Sequence, residues 1–351
     1  MVAVQAEKPG TGGSAVGSGE QDRQAAANGL EQLLALVGDD LKDVNRLIVQ
    51  RMHSPVALIP QLAGHIVASG GKRLRPLLTL ASARLCGYEG ERHLGLAACV
   101  EFIHTATLLH DDVVDDSGLR RGQSTANAIW GNKASVLVGD FLFSRAFQLM
   151  VADGSLEVLR ILSNASAVIA EGEVQQLMTA NDTATSVEAY LEVIEAKTAA
   201  LFSAACEVGA VVAERSAEEQ AALETYGGAL GMAFQLVDDV LDYAAAEADM
   251  GKAVGDDFRD GKLTLPVVLA IAKADSDEQA FWRRCLEDQD QREGDLAEAV
   301  RLMRKYDTLG AALTLAGEYR DRAIAALSIF PDSEMRAVMI EVAAFTVDRD
   351  R

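Results

Sequence analysis

From Gly29 to the C-terminus, apolar residues recur at i, i+3, i+4 and i+7 with almost no break. That spacing lines them up on one side of a helix with 3.6 residues per turn. Strand-like alternation never persists beyond a few residues, and Val/Ile/Thr clusters of strand length are scarce. Six prolines (Pro9, Pro55, Pro60, Pro76, Pro266 and Pro331) punctuate the 351 residues, so long helices go uninterrupted. The pattern predicts an all-α fold, a single large antiparallel bundle. It places helices at roughly 29–51, 55–69, 74–87, 91–116, 124–130, 133–152, 155–180, 186–213, 216–246, 263–274, 277–289, 292–306, 308–328 and 332–347. Connections this short suit antiparallel neighbours.

With 49% apolar residues the chain can bury a substantial core, as one large domain or two ordinary ones. Residues 1–27 are rich in Gly, Ser and Ala and nearly free of large apolar groups. They are expected to form a disordered extension, leaving 28–351 as the folded domain. A net charge of −21 argues against nucleic acid and anionic membranes as partners. Cys86, Cys99, Cys206 and Cys285 are far apart in helical patterns with no C-x-x-C pairing. They read as reduced core residues of a cytoplasmic protein. No uninterrupted apolar run approaches the ~18 residues of a spanning helix, and no signal-peptide pattern opens the chain, so no membrane anchor is expected.

The segment "LLHDDVVDDSGLRRG", Leu108 to Gly122, packs four aspartates into six residues and follows them with two arginines. "DDVVDD" at Asp111 has an echo, "DDVLD" at Asp238; both read D-D-x-x-D and both follow an apolar helical pattern. Positions i and i+4 share a helix face, so Asp111 points with Asp115, and Asp238 with Asp242. Asp112 and Asp239 sit about 100° around. One such run alone reads as a solvated helix end. Two, each ending an apolar helix, predict carboxylates converging at one end of a shared interior. Clustered carboxylates suit Mg²⁺, a hard cation that takes few protein oxygens and completes its shell with water and phosphate. "GGKRLRP", Gly70 to Pro76, puts Lys72, Arg73 and Arg75 at a helix start, where cations oppose the macrodipole unless an anion binds. The combination points to a diphosphate on an apolar substrate. The acidic, glycine-rich connection "AAAEADMGKAVGDDFRDGKLT", Ala244 to Thr264, reads equally well as an ordinary solvated loop.

These motifs in order resemble the trans-prenyl diphosphate synthases, the polyprenyl synthetase family, and most closely its long-chain octaprenyl and decaprenyl members. The resemblance runs from about residue 30 to the end and rests on "GGKRLRP", "EFIHTATLLHDDVVDDSGLRRG", "ASVLVGD", "EGE", "KT", "FQLVDDVLDY", "GKAVGDD" and "GKLTLP". It implies an isoprenoid-synthase bundle around a central apolar tunnel, and a homodimer. It also implies that Lys72, Arg75, His104 and Arg121 bind isopentenyl diphosphate. Asp111, Asp112 and Asp115 would bind Mg²⁺ on the allylic diphosphate, farnesyl or geranylgeranyl. Asp238 and Asp239 would complete the metal cluster with Asp242 assisting, three ions being held when substrate is bound. Arg120, Lys197, Thr198, Gln235, Lys252 and Lys262 would surround the allylic diphosphate. The implied chemistry is ionisation, condensation and elimination.

For product length, the fifth and fourth residues before Asp111 are Ala106 and Thr107, small where short-chain members tend to carry an aromatic plug. The tunnel floor is then expected deeper, near Phe102 or on a facing helix around Leu177 and Met178. Eight to ten units follow, as for a ubiquinone side chain. A geranylgeranyl synthase is the alternative. A terpene cyclase would lack the second aspartate motif and "GGKRLRP"; a non-catalytic subunit would have lost an aspartate or a lysine.

Overall fold

The computed structural model describes residues 17–68, 73–120, 122–248 and 255–348. Helices α1 (Gly17–Arg51), α2 (Leu58–Ala68), α3 (Leu74–Leu85) and α4 (Arg92–Val114) lead into a small antiparallel hairpin, β1 (Leu119–Arg120) and β2 (Gln123–Ser124). The middle of the chain forms α5 (Ala126–Trp130), α6 (Asn132–Asp153), α7 (Leu156–Thr179), α8 (Val187–Ile194), α9 (Ala200–Val212) and α10 (Ala217–Ala248). It closes with α11 (Asp256–Arg259), α12 (Leu265–Lys273), α13 (Ser276–Trp282), α14 (Asp295–Lys305), α15 (Thr308–Ala326) and α16 (Glu334–Asp348). The all-α expectation holds, and most boundaries fall within two or three residues of those read from periodicity.

Four local features depart from that reading. The backbone is helical from Gly17, ahead of the expected domain start, where the alanine run of "QAAAN" favours helix; residues 1–16 of the expected extension lie outside the described residues. The short hairpin turns at Gly122, whose φ of 74° is left-handed. Asp256–Arg259 forms a helical turn inside the connection read as a loop. Between α8 and α9, Glu195–Ala199 is a π-helical turn.

The main core is gathered from α1, α3, α4, α6, α7, α9, α10 and α16. On α10, Tyr226, Leu230, Ala233, Val237 and Val240 follow the helical repeat and are all at least 95% buried. On α4, Leu96, Cys99, Ile103 and Ala106 do the same. Each large aliphatic side chain so buried contributes roughly 1.5–3 kcal/mol. These stripes fix the rotation of both helices, and with it the direction of the aspartates in their C-terminal halves. All four cysteines are free and buried.

Helices α9 and α10 approach closely because glycine lies at their contact. A Cβ on Gly227 would stand 2.3 Å from the Phe202 carbonyl oxygen, and one on Gly231 2.7 Å from Ala199 Cα. The contact holds Phe202 and the π-helical turn against α10.

Among the described residues, α6 alone is long and apolar enough to cross a membrane; its best window has a mean hydropathy of 1.4. Asp140 and Arg145 interrupt its apolar run, so no uninterrupted run of that length stands there, but they do not bring the mean below that level. One side of α6 packs in the core through Val138, Leu142, Ala146 and Leu149. The other exposes Leu137, Phe147 and Val151, continued on α7 by Val174, Leu177 and Met178. Leu177 and Met178 are 59% and 80% exposed, so they form no tunnel floor within one chain.

Gly227→Ala is expected to destabilise the fold by about 1–3 kcal/mol through overpacking. At Gly228 the nearest atom to an added Cβ is 3.7 Å away, so Gly228→Ala is expected to be neutral or slightly stabilising. Urea unfolding of the two variants side by side checks this; equal effects would refute the close-contact account.

Candidate active site

The first aspartate motif lies where the buried stripe of α4 runs out, and the second lies within α10, flanked by the buried Val240 and Tyr243. Asp111 is largely buried, with Lys197 Nζ 3.8 Å from its carboxylate. Lys197 in turn donates to Glu173 Oε2 at 2.7 Å and to Gln176 Oε1 at 2.9 Å, both on α7. Asp115 caps the end of α4, and Lys262 Nζ stands 4.0 Å from it. The same ammonium is 3.6 Å from Asp257 and 3.1 Å from Asp260. Lys262 thus ties the first motif to the connection that follows the second.

On α10, Gln235 Nε2 donates to Asp239 Oδ1 at 2.8 Å, and the Tyr190 hydroxyl donates to the other oxygen. Thr198 Oγ1 donates to Gln235 Oε1 at 2.9 Å. Neighbours Lys197 and Thr198 lie in the π-helical turn and serve different partners: successive side chains point apart around the helix axis, so one reaches toward α4 and α7 while the next reaches α10.

Three carboxyls here titrate far above the ordinary range. Burial pushes Asp111 up to about 7; Lys197 opposes this, while Glu173 and Asp115 add to it. Burial, then the charge of Asp257, raises Asp239 to about 7. Asp257 rises to about 6 through burial, with Lys262 opposing and Asp242 and Asp238 adding. So much negative charge in a low-dielectric pocket suits a hard divalent cation, and every donor is a carboxylate oxygen, the type Mg²⁺ prefers. Among the described residues, no three Asp, Glu, His or Cys groups converge into a ready-made cage. The residues fit a metal that draws the rest of its shell from phosphate and water.

A second cationic site lies at the start of α3. Arg75 Nη1 is 3.3 Å from His104 Nε2 on α4, and its guanidinium stacks 4.4 Å above the Phe202 ring. Burial lowers Arg75 to about 10, which leaves it charged at neutral pH.

The structure therefore brings Asp111, Asp115, Asp238, Asp239, Lys197, Thr198, Gln235 and Lys262 to one end, and pairs Arg75 with His104. Two groups expected at the ligands also have partners within the protein. Asp242 accepts from the Asp256 N–H at 3.3 Å and the Asp257 N–H at 3.1 Å at the start of α11. Arg120 meets Asp112 with Nε at 2.8 Å and Nη2 at 2.7 Å, so the acidic pocket itself takes up both groups, and the Asp112 carboxylate turns inward. Lys72, Arg121 and Lys252 lie outside the described residues. Ala106 and Phe102 are 0% and 2% exposed and packed in the core, whereas Thr107 is half-buried. An open bore at Ala106 is thus absent among the described residues, because apolar side chains pack into the space.

The sequence reading had assigned no role to Asp257, Glu173, Gln176 or Tyr190. Asp257 lies in the "GKAVGDD" stretch and Glu173 in "EGE", so each carried a signal without a partner. Tyr190 sits in an ordinary helical pattern and carried none.

Because the folded state binds the Asp111 proton more tightly than the unfolded chain, with a pKa of about 7 against 3.8, ionising this group costs stability. The cost is absent below about pH 4 and complete above about pH 7. Asp111→Asn is therefore expected to raise the unfolding temperature of the metal-free protein at pH 7.5, by about 2 °C or more, and far less at pH 4.5. A gain of the same size at both pH values would overturn this.

A family model described as polyprenyl synthetase matches residues 56–303. The octaprenyl diphosphate synthase of Escherichia coli (strain K12) is 47% identical over 322 residues, covering 92% of this chain and 99% of that protein. A crystal structure of a decaprenyl diphosphate synthase from Rhodobacter capsulatus is 53% identical and covers 92% of this chain and 99% of its own, with a TM-score of 0.89. That of a polyprenyl synthase from Caulobacter crescentus CB15, complexed with calcium and isoprenyl diphosphate, is also 53% identical, with a TM-score of 0.87 over 91% of this chain and 98% of its own. With its aspartates, lysines and arginine gathered as described, the chain belongs to the polyprenyl synthetase family.

Proposed function

We propose that the chain is a long-chain trans-polyprenyl diphosphate synthase. It adds isopentenyl diphosphate head-to-tail to farnesyl or geranylgeranyl diphosphate, giving about eight to ten isoprene units, each spanning about one helical turn, as a quinone side-chain precursor. The observation that carries this is the gathering of acids at one end of an apolar bundle, beside the Arg75–His104 site: Lys262 links Asp115 of the first D-D-x-x-D motif to Asp257, whose charge acts on the second motif at Asp239. The octaprenyl and decaprenyl relatives support the product range.

Arg75 and His104 hold the diphosphate of isopentenyl diphosphate and orient its double bond. Lys197, Lys262, Thr198 and Gln235 face the allylic diphosphate. Asp111, Asp115 and Asp238 would hold Mg²⁺, which when bound supplies Lewis-acid stabilisation of the leaving diphosphate. As the allylic C–O bond breaks, its electron pair leaves with the diphosphate oxygen. The lysines already stand beside that charge, so little reorganisation is needed. The double bond then attacks the allylic carbon, a C–C bond forms, and the released diphosphate takes the proton. No side-chain base is required. Apolar walls keep water from the cationic carbon.

A homodimer and a cytoplasmic location belong to the same proposal. The contiguous apolar face of α6 and α7, with Leu137 67% and Val151 68% exposed, supports the dimer.

With Mg²⁺, farnesyl diphosphate and labelled isopentenyl diphosphate, dephosphorylated products are expected at about eight to ten units. Thr107→Phe, which fills the half-buried position one turn before Asp111, is expected to shorten them. A four-unit stop in the unaltered protein would sink the long-chain reading, and no elongation would sink the enzyme. In light scattering the protein is expected to have twice its chain mass, and Leu137→Asp with Val151→Asp to halve it.

A further inference from the structure

Arg73 is the cation of "GGKRLRP" to which neither the sequence reading nor the proposed mechanism gives a role of its own. It is the N-cap of α3 and adopts φ 49°, ψ 35°, a left-handed conformation uncommon for a residue with a side chain. It makes no side-chain capping hydrogen bond. Instead it reaches across to α4 and forms an ion pair with Glu101, the two side chains being 15% and 10% exposed. A guanidinium at a helix N-terminus opposes the macrodipole. Its left-handed turn and its position both need a reason, and Glu101 supplies one.

Glu101 lies one turn before His104 on the same face of α4, so it stands beside the Arg75–His104 pair as well. Its charge acts directly on Arg75. Arg75 has no carboxylate partner of its own among the described residues. Nη1 meets His104, the plane stacks on Phe202, and the buried Nε has no hydrogen-bond partner. A guanidinium beside a buried carboxylate ordinarily pairs with it in a fork. Here Arg73 occupies that carboxylate.

We propose that Arg73 is a positioning residue for the isopentenyl diphosphate site: by pairing with Glu101 it keeps that carboxylate from capturing Arg75, leaving the Arg75 charge for the substrate's diphosphate. This rests on the function proposed above. Removing Arg73 removes the ion pair that holds Glu101 away from Arg75, and removing both charges takes away the carboxylate that competes for it.

Steady-state kinetics test this, with isopentenyl diphosphate varied at saturating farnesyl diphosphate and then the reverse. Arg73→Met is expected to raise KM for isopentenyl diphosphate about tenfold or more, a loss typical of one charge-assisted contact. The kcat and the KM for farnesyl diphosphate should stay within about threefold. Combining Arg73→Met with Glu101→Gln is expected to return the KM to within about threefold of the starting value. Arg73→Lys, which keeps the ion pair, should stay close to the unaltered protein and serves if Arg73→Met does not fold. An unchanged KM in Arg73→Met, a double variant as impaired as the single, or an Arg73→Lys with a tenfold loss overturns the proposal. Failure of the unaltered protein to elongate would strike the proposed function; elongation with an unmoved Arg73→Met strikes this inference alone.

Discussion

Everything at the working end of this bundle depends on gathering carboxylates in a place of low dielectric and compensating them. A buried ionised carboxylate is costly unless a partner stands close. The fold answers with single cations that each serve several acids. Lys197 stands between Asp111 and Glu173, Lys262 between Asp115, Asp257 and Asp260, and Arg120 against Asp112. The compensation is incomplete, as the raised affinity of Asp111, Asp239 and Asp257 for protons shows. That residual negative charge is what a divalent cation would complete.

Rigidity behind the site comes from packing of a different kind. Glycines at the α9–α10 contact let two backbones meet, and Lys197 and Thr198, in the π-helical turn beside that contact, divide between the two aspartate motifs. Gln235 and Tyr190 then hold Asp239 from both sides. An apolar core directly beneath fixes the helices, so small side-chain motions at the rim leave the spacing between the motifs unchanged.

Legibility followed the range of the interaction. Helix positions were readable because periodicity is local, and the two aspartate motifs because i and i+4 fix a shared face without knowledge of any partner. The same logic does not reach the partners of Asp242, which accepts from backbone N–H groups fourteen and fifteen residues onward. It fails for Ala106. Small size was visible, whereas the packing that closes over it comes from other helices.

The sequence by itself determined an all-α bundle, two acidic helical motifs, a basic helix start and the family to which that series belongs. Each of these is set by residues within a turn or two of one another. Only the tertiary structure decided which cation meets which carboxylate, that Tyr190 and Asp257 join the site, and that Arg73 reaches Glu101. Arg73–Glu101, Tyr190–Asp239 and Lys262–Asp115 join residues 28 to 147 positions apart, and no local rule reaches that far. They exist because packed helices bring their ends together, and burial then forces every charge there to find a partner.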